Sequence, residues 1–411
     1  MNRRHFLGAL GAPALLGVTF EPDAAAILRE LHATPGSPAE LATDEDYWAQ
    51  VQAAFAVDRS MVNFNNGGVC PSPTVVQDAL QRHTQFANEA PAYKMWRIQE
   101  PQKETVRKGL ARLFGAHPEE LAITRNASEG LQICQFGFDL EPGDEVLCTD
   151  QDYPRMITTF QQRVRREGIV LRRFRIPTPL EDPAQVVRGY AERITDRTRL
   201  ILVSHMINLT GTILPVREIC ELGRSKGIPV IVDGAHAFAH FPFERDALGC
   251  DYYATSLHKW LFAPFGTGML YVRHDKIGDL WPLMAAAEAK SEDIRKFEEI
   301  GTHSVPLILS IADALTFHEA MGPERKAARQ RYLRDRWAKR LAQHDRVRLN
   351  TNLKPGFACG IANVGIQGID TTDLQRHLWL QHRIYTIGIR FRGVDPQGRP
   401  QGDDAPHQYE G

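Results

Sequence analysis

Two segments hold the densest set of reactive side chains, IPVIVDGAHAFAH (228–240) and CDYYATSLHKWLFAPFGTGMLYVR (250–273). Asp233 follows the apolar run Val230, Ile231, Val232, where a strand of an open α/β sheet would end and where ligands of such sheets bind. A carboxylate there can hold a protonated ring nitrogen. Lys259 lies between His258 and Trp260, before a loop rich in Gly and Pro. A partly desolvated amine beside a cationic ring loses its proton readily; it can form a Schiff base with a carbonyl and shuttle a proton at carbon. Taken singly, such an Asp is most often a helix cap and such a Lys a solvated side chain. Their order and spacing in one chain give the pair its weight.

DGAH and SLHKW, with the following FGTG, resemble the class V aminotransferase family, which includes cysteine desulfurases and isopenicillin N epimerase. The match runs from Asn63 to about Ser304. The resemblance implies a pyridoxal-phosphate (PLP) enzyme of fold type I, with Lys259 carrying the cofactor as a Schiff base and Asp233 on its ring nitrogen. It also implies a phosphate cup in TRNASEGL, where the amides of Ala127 and Ser128 meet the phosphate at a helix N-terminus. Tyr153 falls where the family stacks a ring on the pyridine, and Asn208 and His236 fall near the phenolic oxygen. Ser256 and His258 match further phosphate contacts. Thr302, in FEEIGTHS, matches a residue that family members lend to the neighbouring subunit, so a homodimer is implied. NFNNGGVCPSP matches a segment placed beside the substrate, with Asn65, Asn66 and Gly67 in a tight turn. The helix after it is expected to start at Pro73 with Ser72 as its cap.

These residues need an α/β scaffold. From about residue 63 to 273, strand candidates at 121–124, 145–148, 170–174, 199–204, 229–232, 252–255 and 268–272 alternate with helical stretches at 127–136, 156–166, 184–194 and 216–226. That alternation predicts a mostly parallel, seven-stranded sheet in a large domain spanning 61–300. A smaller α+β domain follows over 301–411, joined by the N-terminal segment 27–60. Its basic helix, 324–344, places Tyr332, Leu333, Trp337 and Leu341 at helical spacing, which predicts a buried apolar stripe and a solvated arginine face. A formal net charge of -1 argues against nucleic acid as a partner. The six scattered cysteines read as buried thiols with no metal-ligand spacing.

Residues 1–26 read as a twin-arginine export signal. Arg3 and Arg4 precede a short, glycine-broken apolar stretch, and Ala24 to Ala26 could be a cleavage site. The stretch is too short for a comfortable membrane span, so the chain is expected in the periplasm or beyond, with the cytoplasm as the alternative. The chemistry left open is transamination or epimerisation at the Cα of an amino acid, with desulfurase-like C–S elimination disfavoured because 385–411 has no cysteine. A PLP-binding protein without turnover is the alternative of another class. Family members continue with a strand carrying an Arg for the substrate carboxylate. This chain stops at Gly411 about where that strand should begin, so an incomplete small domain and poor turnover are expected unless Arg390 or Arg392 replaces the clamp.

Overall fold

The structure is a computed structural model that describes residues 22–389, with side chains from Leu28 onward. The export signal, Arg390 and Arg392 lie outside the described residues. In chain order the strands are β1 (Val62–Asn63), β2 (Leu121–Thr124), β3 (Glu145–Thr149), β4 (Val170–Phe174), β5 (Thr198–Ser204), β6 (Val230–Asp233), β7 (Tyr252–Ser256), β8 (Gly268–Val272), β9 (Val347–Leu349), β10 (Val364–Ile366) and β11 (Ile384–Tyr385). The principal helices are α1 (Pro22–Ala33), α2 (Glu45–Ala53), α3 (Thr74–Asn88), α4 (Lys103–Phe114), α5 (Ala127–Gly137), α6 (Pro154–Glu167), α7 (Ala184–Ala191), α8 (Val216–Ser225), α9 (Ile311–Met321), α10 (Pro323–Leu341) and α11 (Thr371–His382).

Seven strands form one sheet in the order β2-β8-β7-β6-β5-β3-β4, parallel throughout except for β8, which runs against both neighbours. Alternate residues of these strands fall into two separate apolar clusters. Leu147, Ile201, Val203, Val230, Val232 and Tyr253 lie on one face. Val146, Leu200, Leu202, Ile231, Tyr252 and Ala254 lie on the other. Period-two alternation sends successive side chains to opposite faces, and helices cover both, so each strand reads as a continuous apolar run. Each buried aliphatic side chain contributes about 1.5–3 kcal/mol.

Two glycines allow the sheet to approach its surroundings closely. A Cβ on Gly234 would fall 1.9 Å from the Tyr253 ring, and one on Gly268 would fall 2.6 Å from the Asn126 Cα. Helix α5 starts from Asn126, whose extended backbone lets its side chain accept from the Glu129 N–H. Helix α3 departs from expectation. It begins at Thr74 without a side-chain cap, and the Ser72 carbonyl instead accepts from the Gln77 side chain.

Helix α10 overturns the reading of its faces. Leu333 is exposed and Tyr332, Trp337 and Leu341 are only partly covered, whereas Lys326, Ala327, Arg329, Arg334 and Ala338 are buried. The arginine stems pack inward because main-chain carbonyls receive their heads. Arg329 donates to the Ala42 carbonyl and pairs with Glu45, and Arg334 donates to the Cys359 carbonyl. The N-terminal helices pack here as well: Arg325 donates to the carbonyls of Leu31 and Thr34, and the Tyr47 hydroxyl donates to that of Met321. Strands β9 and β10 form an antiparallel pair, and β1 lies parallel to β11, with Val62 opposite Ile384. No helix among the described residues is long and apolar enough to cross a membrane.

Candidate active site

A cavity of about 190 Å³ opens at the carboxyl ends of the central strands. Its wall includes Ala127 and Ser128 at the start of α5, Tyr153 before α6, Asn208 after β5, Asp233 and His236 after β6, and Ser256, His258 and Lys259 after β7. Ten of the residues singled out in the sequence are therefore candidates for one wall, and nine of them line it; Thr302 stands apart, exposed on the loop before Ser304. Asn65, Asn66 and Gly67 also stay off the wall. Their turn is closed by the Gly68 N–H donating to the Asn65 carbonyl, and Gly68 is the residue that faces the cavity.

The charged groups are held by short links. Asp233 is 5% exposed, and its Oδ1 accepts from the Ala235 N–H at 3.0 Å. Burial raises its pKa, while the Ala235 N–H and the Lys259 cation oppose that rise. Burial brings the Lys259 amine down to about 8, with Asp233 pulling the other way. Lys259 Nζ lies 3.0 Å from His236 Nε2. Burial, then Lys259, hold the His236 pKa well below its ordinary value, so the imidazole is neutral at physiological pH. His258 Nδ1 lies 3.0 Å from the Thr267 carbonyl, which fixes it as the protonated ring nitrogen. The Ala127 N–H donates to Ser256 Oγ at 2.9 Å, tying the helix start to the end of β7.

The cavity fits an anionic aromatic aldehyde. A helix N-terminus, a buried carboxylate and an amine able to lose its proton share its wall. His236 Nδ1 is buried without a hydrogen-bond partner among the described residues, a polar group that folding leaves for a ligand. Pyridoxal phosphate has the matching parts: a phosphate, a protonatable ring nitrogen, a phenolic oxygen and a carbonyl.

Several residues that build this site escaped the sequence reading. Asp152 is 1% exposed; one carboxylate oxygen accepts from the Thr149 N–H and hydroxyl, the other from the Ser204 N–H and hydroxyl. It clamps the ends of β3 and β5 and so places the adjacent Tyr153. Asn126, the cap of α5, was visible in TRNASEGL as an Asx residue ahead of an apolar run. His240 and Trp260 stack face to face, 3.6 Å apart and 8° from parallel, and no local pattern announces that contact.

The family described as Aminotransferase class-V matches residues 62–388, nearly the whole described chain. The chain belongs to this family, whose members are pyridoxal-phosphate-dependent enzymes. It is 31% identical over 366 residues to isopenicillin N epimerase of Streptomyces clavuligerus, covering 82% of this chain and 89% of that protein. It is 32% identical over 356 residues to isopenicillin N epimerase of Amycolatopsis lactamdurans, with the same coverages. Among solved structures, the complex of the cystine C-S lyase C-DES with its reaction product cysteine persulfide superposes with a TM-score of 0.68 at 27% identity, covering 80% of this chain and 90% of that one.

Proposed function

We propose that this enzyme acts at the Cα of an amino acid, by epimerisation or transamination, with Lys259 as the residue that carries pyridoxal phosphate. The observation that carries the reading is the Lys259 amine, set 3.0 Å from a neutral His236 and sharing its cavity with the buried Asp233. When bound, the cofactor supplies an electron-withdrawing ring that weakens the bonds at the substrate Cα. The chain's own residues do the rest. Asp233 holds a proton on the ring nitrogen, and the Ala127 and Ser128 amides, with Ser256 and His258, bind the phosphate. Asn208 and His236 would hold the phenolic oxygen, Tyr153 would pack against the ring, and Lys259 would take and return the Cα proton. Gly68 borders the substrate side, carried by the turn of Asn65, Asn66 and Gly67.

Desulfurase chemistry is the weaker reading, because it needs an accessible thiolate. All six cysteines are buried, and burial raises their pKa; that of Cys70 is pushed up to about 12. The likeness to a C-S lyase keeps elimination from a sulfur amino acid as the second reading. A homodimer is the proposed active unit. Tyr93, Trp96, Phe64 and Phe265 expose large apolar surfaces, and the Thr302 loop stands clear of its own cavity. Export by the twin-arginine route belongs to the same reading, on Arg3 and Arg4. Borohydride treatment of the holoprotein, followed by peptide mapping, should put a pyridoxyl adduct on Lys259; an adduct elsewhere sinks the assignment. An amino-acid panel with keto-acid, D-amino-acid and ammonia readouts then separates transamination, epimerisation and elimination.

A further inference from the structure

Helix α10 sends one cation into the protein without an acid to meet it. Arg329, Arg334 and Lys339 of this helix reach Glu45 or Asp335, but Lys326, 3% exposed, has no carboxylate partner among the described residues. The titratable groups facing it are His318 of α9, whose Nδ1 lies 3.0 Å away, His240 after β6, whose pKa Lys326 helps to lower, and the thiols of Cys70 and Cys359. His318 is neutral, held well below its ordinary pKa by burial and then by Lys326, and burial raises both thiols. Burial brings Lys326 itself down to about 7. A desolvated amine without an anion opposes folding, so packing alone gives no reason for a lysine here.

Its contacts give one. Lys326 Nζ donates to the main-chain oxygen of Trp260 at 2.6 Å and sits 4.6 Å above the centre of the Phe262 ring. Both contacts fall on the turn that follows Lys259, which closes with the Phe262 N–H donating to the Lys259 carbonyl. Phe262 has a φ of 66°, a left-handed conformation that is unfavourable for a bulky residue and persists only when its surroundings enforce it. Lys326 grips this turn at its middle and at its strained end.

From the gripped turn the indole of Trp260 reaches two other parts of the site. One face stacks on His240, and its edge lies so near Gly67 that a Cβ there would come within 3.1 Å of the ring. His240 Nε2 accepts from the Gly360 N–H at 2.9 Å, so Nδ1 carries the proton and donates to the His236 carbonyl at 2.7 Å. His236 in turn meets the Lys259 amine. We infer that Lys326 is a positioning residue, which by pinning the Trp260 carbonyl holds the Lys259 turn and, through the Trp260–His240 stack, keeps His236 against the Lys259 amine. The inference rests on the reading of Lys259 given above.

The test compares Lys326→Met, which removes the donor, with Lys326→Gln, which keeps an N–H of similar reach without the charge. Competitive acylation of the cofactor-free full-length chain across a pH series, read by peptide mass spectrometry, gives the midpoint and rate of Lys259 labelling; melting curves check folding. In Lys326→Met the loosened amine hydrates and its midpoint rises by about one unit from about 8, so labelling at pH 7 slows roughly tenfold. In Lys326→Gln the rate stays within about twofold of the parent, and kcat of the holoenzyme falls far more in the Met variant than KM changes. A folded Lys326→Met chain whose Lys259 labels like the parent overturns the inference. If that variant does not fold, Trp260→Leu interrogates the same link, and an unchanged Lys259 midpoint there overturns it equally. Borohydride trapping of the parent at a lysine other than Lys259 refutes the functional reading instead, and the labelling comparison still decides the role of Lys326.

Discussion

Replacing Gly268 by Ala tests whether the sheet aligns α5, the helix proposed to face the cofactor phosphate. The new Cβ would sit 2.6 Å from the Asn126 Cα and 2.7 Å from its N and C atoms. Strand β8 cannot yield, because it is hydrogen-bonded to β2 on one side and β7 on the other. Ordinary carbon–carbon contact begins near about 3.5 Å, so Asn126 must retreat by roughly 0.9 Å. A shift of that size away from β7 stretches the 2.9 Å bond from the Ala127 N–H to Ser256 Oγ past its useful range and rotates the α5 amides off their target. Overpacking costs about 1–3 kcal/mol of stability. Loss of one hydrogen bond to a charged ligand costs a further 1.5–3 kcal/mol or so of binding, which is roughly a 10- to 150-fold weaker Kd. Titrating cofactor-free protein with pyridoxal phosphate and following the visible absorbance measures it. Gly227→Ala is the control: no atom would lie within 4 Å of its Cβ, and only the φ of +67° is strained, so stability drops while cofactor affinity holds. A folded Gly268→Ala protein with cofactor affinity within twofold of the parent would refute the reasoning.

Three further outcomes follow from the same geometry. Asp233→Asn removes the one group that raises the Lys259 pKa, so Lys259 labelling in cofactor-free protein should shift below its midpoint of about 8 and quicken about fivefold at pH 7; an unchanged midpoint means that Asp233 is not ionised there. Lys259→Ala should still fold and should give no borohydride adduct, and an adduct on a neighbouring lysine would show a dispensable amine. Asp313, 3% exposed on α9, is raised to about 7 by burial, against the pull of Arg82. Its folded pKa exceeds its unfolded value, so its ionisation costs stability progressively as pH rises from about 4 to about 7. Asp313→Asn should therefore stabilise the protein at pH 8, by at most about 4 kcal/mol, and leave it unchanged near pH 4; urea unfolding at the two pH values checks this.

The strands of the sheet were legible because burial on both faces leaves unbroken apolar runs such as Val230 to Val232, and each ended within a residue or two of its expected limit. That Asp233 and Lys259 share one cavity was legible because strand ends in an open α/β sheet converge on one crevice. Helix α10 was misread for a physical reason. Spacing shows which residues share a face but not which face is covered, and here the carbonyls of Ala42 and Cys359 make a home for guanidinium groups that Leu333 does not find. The stack of His240 on Trp260 joins two strand ends through a contact that neither segment encodes locally. The Gly68 wall was missed by one position, since the turn that closes at Asn65 directs the residue after Gly67 into the cavity.

The pairing of β1 with β11 sets an order of events for a chain emerging from the ribosome. The turn carrying Gly68 is anchored by a strand whose partner is synthesised roughly 320 residues later. The seven-stranded sheet, with Asp233 and Lys259 already in place, can condense while that edge still waits. The Gly68 side of the cavity is therefore the last part to be walled. A nascent chain would gain its cofactor pocket before it gains the enclosure that restricts what enters it.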